Sequence, residues 1–167
     1  MCIRDSHINI ESIVDTVDIH RYFQSESGIH LYSQEMSTRE DYNSEGVSFT
    51  GLSSDRNNLN NDIIEGVKPV CQFFNSDTQA YLYTLDNVEK DYILDNLDNY
   101  SLEETAYYAF ENEPENIETT PVYRMYNTDT GTHLLTSDLI EFNSIQTNLD
   151  HFNMEGDNGV TFYALEA

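Results

Sequence analysis

The sequence has very few basic residues. Its 167 residues include 7 Lys and Arg against 31 Asp and Glu, which gives a formal net charge of −24. Because Lys and Arg bind phosphate groups, this balance argues against a nucleic-acid partner and against an anionic membrane surface. No apolar run approaches the roughly 20 residues that a membrane helix needs, so we expect no membrane insertion.

Tryptophan is absent, and two cysteines, Cys2 and Cys71, are too few for a disulfide framework. The sequence also lacks G-x-S-x-G, H-E-x-x-H, a phosphate-binding loop and paired cysteines at zinc spacing. The calcium-loop pattern of alternating acids closed by Glu is missing too, so no motif supports calcium. We therefore expect no enzymatic activity, no metal and no cofactor. With 31 Asp and Glu, a catalytic pair of carboxylates that acts on polysaccharide is still an alternative.

Aromatic residues are abundant, with 12 Tyr and 8 Phe. Such residues in strand-like contexts argue for a folded core despite the polar average composition. A chain of this length fits one domain.

A pattern of two short strands and a turn occurs three times. In the clearest copy, strands at 122–126 and 132–136 flank a turn at 127–131, whose Asn, Asp and Gly favour turn formation. Similar stretches lie at 69–84 and 19–33. The later two copies match at a constant offset of 52 residues, which indicates an internal duplication; the matching pairs include Asp77 and Asp129, Tyr81 and His133, Asp86 and Asp138, and Glu89 and Glu141.

The second copy also predicts a helix behind its hairpin. Asp86 and Glu89 have the spacing of a helix N-cap with an acidic residue three positions on. The helix should run to about Leu97 with Ile93 on its buried side, and a strand should follow at 105–110. The first copy is seven residues shorter over this region, so its helix should be mostly missing.

Together these patterns predict an α+β fold of three pseudo-repeats, each a β-hairpin plus a helix plus a closing strand, that share one core. A closed pseudo-threefold arrangement is favoured, and a linear stack stays open. We place the repeats at about 19–50, 67–110 and 119–167 within one domain, 19–167, with a loop at 51–66. Residues 7–18 are a linker or a leading strand.

The third repeat resembles those of an uncharacterised bacterial family, which read V-Y-R-F-Y-N-x-x-T-G-x-H-F-Y-T and end E-G-x-x-F-Y. The resemblance is carried by Val122, Tyr123, Arg124, Tyr126, Asn127, Thr130, Gly131, His133, Thr136, Glu141, Glu155, Phe162 and Tyr163. This sequence departs from the pattern at Leu135 and, in the second repeat, at Gln72, Gln79, Ala80 and Tyr81. The resemblance implies a place at the C-terminus of a larger secreted or cell-surface protein, with upstream domains and no assigned activity.

Residues 1–6 resemble a translated sequencing adapter rather than natural coding sequence. We therefore expect the gene to continue upstream.

Several residues at repeat-equivalent positions are candidates for ligand binding. Arg21 and Arg124 lie mid-strand and either pair with carboxylates, with Glu141 or Glu155 as natural partners, or grip an acidic sugar. His30, His133 and Tyr81 share one position and either stack on a sugar or pack locally. Asp129 lies at a turn, where it either caps that turn or offers oxygens to calcium.

The recurring tyrosines complete the candidate set, because exposed Tyr beside Asn and Asp is typical of sugar-binding surfaces, although core packing explains most of them. The candidate ligand-binding residues are Arg21, His30, Tyr32, Tyr81, Tyr83, Tyr123, Arg124, Asp129 and His133. The leading interpretation is a non-catalytic extracellular module for attachment to a glycan or surface polymer. The alternatives are a structural spacer or C-terminal cap without a ligand, and an enzyme acting on polysaccharide.

Overall fold

The structure, a computed structural model, describes residues 16–37, 39–53, 66–156 and 158–166. The predictions for residues 1–6, for most of the linker at 7–18 and for most of the loop at 51–66 fall outside these ranges. The strands are β1 Thr16–Gln24, β2 Ile29–Ser33, β3 Asn43–Leu52, β4 Val67–Asn75, β5 Tyr81–Thr84, β6 Tyr100–Phe110, β7 Thr120–Asn127, β8 Thr132–Thr136, β9 Phe152–Met154 and β10 Val160–Ala164. The helices are α1 Asn87–Asn96 and α2 Leu139–Asn148.

The predicted α+β class with helical repeats is wrong. Strands make up 51% of the described residues and helices 15%, and all ten described strands belong to one antiparallel sheet. The closing strands are longer than the sequence suggested: β6 begins at Tyr100 rather than Thr105, because its polar first half still pairs with β4. The two helices are short and bury little, with Ile93 the one buried residue of α1 and Phe142 that of α2.

The strands fall into three units, which we call the first (16–52), second (67–110) and third (120–164). In each unit the first strand of a hairpin pairs with the second hairpin strand on one side and with a closing strand on the other. The resulting parts of the sheet are β2-β1-β3 and β5-β4-β6, with three strands each, and a four-strand part in which β7 pairs with β8, β9 and β10. A helix follows the hairpin in the second and third units but not in the described part of the first.

The three units close into a ring rather than a linear stack. Leu52 of the first unit pairs with Tyr108 of the second, and Phe110 of the second pairs with Tyr163 of the third. The third unit returns to the first through a two-way backbone bridge between Thr50 and Leu165. Each unit therefore contacts both of the others.

The core of the ring is aromatic. Phe49, Tyr107 and Phe162, one from each closing region, are fully buried, and their ring centroids lie 5.6 to 6.1 Å apart in edge-on pairs. Edge-on aromatic pairs stabilise by about 0.5 to 1.5 kcal/mol beyond the burial of apolar area. Tyr32 and Tyr83 pack beside this cluster, and each is only 1% exposed. The largest cluster is thus shared among the units, and smaller clusters around Phe73 and around Met125 lie within the second and third units.

The helix starts agree with the predicted caps. Asp86 Oδ1 accepts hydrogen bonds from the backbone N–H groups of Val88 and Glu89, and Asp138 does the same for α2. These bonds satisfy backbone donors that have no partner inside the helix. The Glu89 side chain, however, turns away from its own helix start and contacts the third unit.

The hairpin turns are held by Asn rather than by the predicted Asp129. Asn127 Oδ1 accepts from the backbone N–H groups of Asp129 and Thr130, whereas the Asp129 side chain is 74% exposed. Gly131 supplies the positive φ that the turn requires, and its second-unit equivalent Gln79 adopts φ 63°. Because side-chain-bearing residues are strained there, Gln79 stores strain that glycine avoids.

Candidate functional site

The first and third units meet at an ion-paired contact, which we call the first–third seam and define by Arg21, Glu45 and Glu141. Arg21 Nε donates to Glu45 Oε1 at 2.8 Å. Its two terminal nitrogens donate to both oxygens of Glu141, at 2.7 and 3.0 Å. This bidentate geometry is the strongest form of an Arg–carboxylate pair. Arg21 therefore ties its own closing strand to helix α2 of another unit.

The third and second units meet in the same way at the second–third seam, defined by Arg124, Glu155 and Glu89. Arg124 Nε donates to Glu155 at 2.8 Å, and its terminal nitrogens donate to both oxygens of Glu89, at 2.9 and 2.6 Å. It also donates to the Tyr83 carbonyl oxygen at 3.0 Å. The expected pairing of Arg124 with Glu155 is confirmed, but its second partner comes from the second unit. Glu141 pairs with Arg21 instead.

The second unit has Gln72 where the others have Arg. Gln72 donates one hydrogen bond to Glu103 of its own closing strand, at 2.9 Å. Its neighbour is the first unit, which has no helix in its described residues to supply a second carboxylate. Among the described residues, position 72 therefore has no helix carboxylate of a neighbouring unit as a partner, in contrast to Arg21 and Arg124.

Three of the seam carboxylates, those of Glu89, Glu141 and Glu155, are held ionised. Burial alone would raise the pKa of Glu141, but hydrogen bonds from Arg21 and its charge lower it below the ordinary value. Burial also opposes ionisation at Glu89 and Glu155. Hydrogen bonds from Arg124 and its charge lower the pKa of Glu89, and a hydrogen bond from His133, followed by the charge of Arg124, lowers the pKa of Glu155. For His30, burial and then the charge of Arg21 lower the pKa to about 4. His30 is therefore neutral near pH 7, although its Nε2 lies 3.6 Å from Glu45.

A cleft of about 270 Å³ opens beside the first–third seam, between the first hairpin and the inner side of α2. Leu134 and Ile145 contribute apolar surface to it, and Asn127 and Thr132 contribute polar surface. The side chains that could contact a ligand are Arg21, Phe23, His30, Glu45, Glu141 and Phe152. The cleft thus combines aromatic surface with fixed carboxylates, which is the usual make-up of a binding site for a small polar molecule.

A second cavity, of about 190 Å³, borders the same ion pairs. Arg21, Glu45 and Glu141 line it together with Val47 and Ser137. A smaller cavity of about 90 Å³ beside Gln72 occupies the corresponding place between the first and second units. The first–third seam therefore borders two cavities.

Two of the predicted site residues are inaccessible. Tyr32 and Tyr83 are 1% exposed and belong to the core, so neither can contact a ligand at the surface. Tyr123 stacks on Phe142 at 4.1 Å between ring centroids, which makes it a packing residue for α2.

The shared His/Tyr position behaves differently in each unit. His133 Nε2 lies 3.1 Å from Glu155 and its ring contacts Tyr126 edge-on. The Tyr81 hydroxyl accepts a hydrogen bond from Arg39 at 3.0 Å. Of the three, His30 lines the first–third cleft. Asp129 lies at a turn tip, 3.9 Å from His151.

Arg21 and His30 are therefore the predicted residues that the structure brings together at the cleft, whereas sequence reasoning missed Phe23, Glu45 and Phe152 there. For Phe23 the sequence did offer a clue, because an aromatic residue occurs at the equivalent position of every copy. Phe23, Phe74 and Tyr126 each lie two positions after the Arg or Gln of their own copy. That signal marks a recurring position and does not show that it borders a cleft.

No group of three or more His, Cys, Asp or Glu suited to a metal ion occurs among the described residues. The described part of the chain likewise contains no helix that is both long and apolar enough to span a membrane.

Comparison with known proteins places the chain in a family. A family model described as a domain of unknown function (DUF5648) matches residues 18–165. No curated protein and no solved structure gives a significant match. The V-Y-R-F-Y-N repeat motif and the adapter resemblance of residues 1–6 stay predictions. Because the family model covers most of the sequence, the protein belongs to the DUF5648 family of domains of unknown function.

Proposed function

We propose that this domain is a non-catalytic recognition module that holds a saccharide in the first–third cleft. The observation that carries the proposal is the composition of that cleft: half-buried aromatic rings of Phe23, His30 and Phe152 lie beside carboxylates locked in place by Arg21. A concave site with apolar walls and a few fixed polar groups is the default form of a small-ligand site.

Sugars have groups that suit both the aromatic rings and the carboxylates of the cleft. One face of a pyranose ring is made of C–H groups, which pack against aromatic rings, while its hydroxyl groups donate hydrogen bonds to carboxylates. Glu45 and Glu141 are already held by Arg21, so they need little reordering to accept such bonds. Preorganised acceptors lose less conformational entropy when a ligand binds.

The wider role that we propose is attachment of a larger secreted or cell-surface protein to a glycan or surface polymer. The resemblance of the third repeat to C-terminal repeats of such bacterial proteins supports this role. The net charge of −24 also suits an extracellular protein that must stay soluble.

Calorimetric titration of the whole chain with neutral hexose and N-acetylhexosamine oligomers, with and without calcium, tests the proposal. We expect saturable binding that Phe23→Ala weakens about fivefold, as expected for the loss of roughly 1 kcal/mol of ring contact. The matched control is Phe74→Ala, which removes the equivalent ring of the second unit, away from the cleft; its affinity should equal that of the parent.

Two results would contradict the proposal. If the folded protein binds no oligosaccharide at any calcium level, the spacer interpretation replaces it. That interpretation is favoured by the use of Arg21 and Arg124 as ties between units. If the protein shortens an oligosaccharide during the titration, the module is an enzyme.

A further inference from the structure

The charges that line the first–third cleft are unequal. Glu45 and Glu141 bring two carboxylates, whereas Arg21 is the one cationic side chain among the described residues that line it. His30 adds no positive charge near pH 7, since burial and the neighbouring Arg21 lower its pKa to about 4. The cleft therefore has an excess of one negative charge when it is empty.

The guanidinium group of Arg21 is already committed. All three of its nitrogens donate to carboxylate oxygens, at 2.7 to 3.0 Å, and its side chain is 16% exposed. An acidic sugar that approaches Arg21 would meet two carboxylates of like charge that already bind the guanidinium group. The geometry thus argues against the grip on an acidic sugar that the sequence left open for Arg21.

Glu45, which lines the cleft, retains free acceptor capacity. Arg21 donates to its Oε1, and His30 approaches the same atom; no hydrogen bond to Glu45 Oε2 is found within the described residues. The side chain is 34% exposed, so a ligand can reach it. An ionised carboxylate oxygen with open lone pairs forms its strongest hydrogen bonds with a charged N–H donor.

We propose that the first–third cleft is selective for a sugar with a free amino group, a hexosamine, over the N-acetylated or carboxylate-bearing sugar of the same ring. This inference rests on the proposed saccharide function. The ammonium group of the hexosamine donates to Glu45 while the ring packs against Phe23 and Phe152. The excess negative charge of the cleft is thereby neutralised.

The test compares three oligosaccharides of equal length in calorimetric titrations of the whole chain at pH 6, where most hexosamine amino groups are protonated: a glucosamine trimer, its N-acetylated form and a glucuronic acid trimer. We expect the glucosamine trimer to bind about fivefold more tightly than the N-acetylated trimer, the size expected of one partly exposed ion pair. The glucuronic acid trimer should bind most weakly.

Glu45→Gln should abolish the preference for the amine, so that the glucosamine and N-acetylated trimers bind this variant with affinities within twofold of each other. Gln keeps an acceptor for Arg21 Nε but carries no charge to attract the ammonium group. The control variant is Glu113→Gln, which makes the same charge change at an exposed position that does not line the cleft. It should keep the preference. If Glu113→Gln removes the preference as fully as Glu45→Gln, the selectivity belongs to the overall charge of −24 and the inference is wrong.

The remaining outcomes separate the inference from the function on which it rests. Binding of the N-acetylated trimer as tightly as the glucosamine trimer overturns the charge selectivity while saccharide recognition stands. Failure of all three trimers and of the neutral oligomers overturns both. Lysine amide, which carries ammonium groups without a sugar ring, should not bind detectably. If it matches the glucosamine trimer, the ligand is a basic peptide and the sugar assignment is wrong.

Discussion

Two fully buried tyrosines, Tyr32 and Tyr107, differ in what their hydroxyl groups do. The Tyr32 hydroxyl donates to the Leu135 carbonyl oxygen at 2.7 Å and accepts from the Leu135 N–H at 2.7 Å. The Tyr107 hydroxyl is buried and has no hydrogen-bond partner among the described residues. A buried hydroxyl without a partner is destabilising, whereas one that serves two backbone groups is stabilising.

The same substitution at these two sites should therefore have opposite effects. Tyr32→Phe leaves both backbone groups of Leu135 unpaired and should lower the free energy of unfolding by about 2 to 4 kcal/mol. Tyr107→Phe removes the unpaired hydroxyl and should raise it by up to about 1 kcal/mol. Urea unfolding followed by circular dichroism measures both changes.

Each variant serves as the control for the other, because both delete one buried oxygen. Phe49 and Phe162 already occupy the positions equivalent to Tyr107, so the second substitution introduces a side chain that this core accepts. Equal destabilisation by the two variants would show that the Tyr107 hydroxyl has a partner and would refute this account.

At the level of whole elements, Arg21 and Arg124 each join a carboxylate of their own unit to a helix of a neighbouring unit. Arg21 of β1 holds α2, and Arg124 of β7 holds α1. Each helix buries one residue, so packing alone anchors it weakly. The bidentate pair at its first turn adds a directional tie to the neighbouring sheet.

Replacing these arginines by Gln, the residue at the equivalent position 72, tests how much the ties contribute. Arg124→Gln should lower the free energy of unfolding by about 3 kcal/mol. The Arg124 side chain is only 9% exposed, so its loss leaves two carboxylates and a carbonyl oxygen without a donor in a buried place. Arg21→Gln should cost about 1 to 2 kcal/mol, since Arg21 is more exposed and makes no bond to a backbone carbonyl.

Urea unfolding of both variants measures the two changes in the free energy of unfolding. Gln72→Ala, which removes one hydrogen bond to the exposed Glu103, is the reference variant for loss of a single side-chain hydrogen bond at this position. The ordering is the critical result. A larger cost for Arg21→Gln than for Arg124→Gln would contradict the reasoning from burial.

Local features of the sequence predicted local structure well. The Asp86 cap and its spacing to Glu89 predicted α1, and the turn residues from Asn127 to Gly131 predicted the β7–β8 hairpin. Both elements are confirmed. The fold class was wrong because a helix is easier to recognise than a polar strand. Residues 100–104 pair along β4 although nothing in their hydrophobicity requires it.

The candidate site was only partly predictable, because it is made by contacts between distant residues. The predicted partner of Arg124 within its own repeat, Glu155, was found, but Arg21 and Glu141 are separated by 120 positions. Repetition shows which positions are equivalent, but it does not show which copy supplies the partner. The cleft, likewise, exists only once two units have met.

On the scale of the whole molecule, the titrating groups at the seams connect stability to pH. The pKa values of Glu89, Glu141 and Glu155 are lowered in the folded state, so their stabilisation is complete above the ordinary carboxyl value of 4.5 and is lost as pH falls through the folded values. His30 acts in the same direction over a higher range. Its folded pKa is about 4 against 6.5 when unfolded, so the unfolded chain takes up the proton first.

We therefore expect stability to fall from pH 6.5 to 4 through His30 and further below pH 4.5 through the three carboxylates. The His30 share is about 1 to 3 kcal/mol, given its small exposed fraction. His30→Tyr, the residue at the equivalent position 81, should remove that share. Urea midpoints of parent and variant at pH 7, 5.5, 4.5 and 3.5 measure it.

The quantity to compare is the difference in the free energy of unfolding between parent and variant at each pH. Protonation also relieves the charge repulsion within a strongly negative chain, but this effect is the same in both proteins and cancels in the difference. That difference should change by more than 1 kcal/mol between pH 7 and 4, as the linkage of the His30 proton to folding requires. A difference that stays constant over this range would show that the pKa of His30 is the same in the folded and unfolded chains and would contradict this account.

The closed ring also constrains the order of events during folding. The hydroxyl of Tyr32 finds its backbone partner 103 positions later in the chain, and Thr50 of the first unit is bridged by Leu165. The chain must therefore bring together distant segments before its earliest strands gain their core contacts, and such non-local contacts make folding slow. During synthesis, the first unit emerges long before the strand that completes it, and its aromatic surface stays open to wrong partners in that interval.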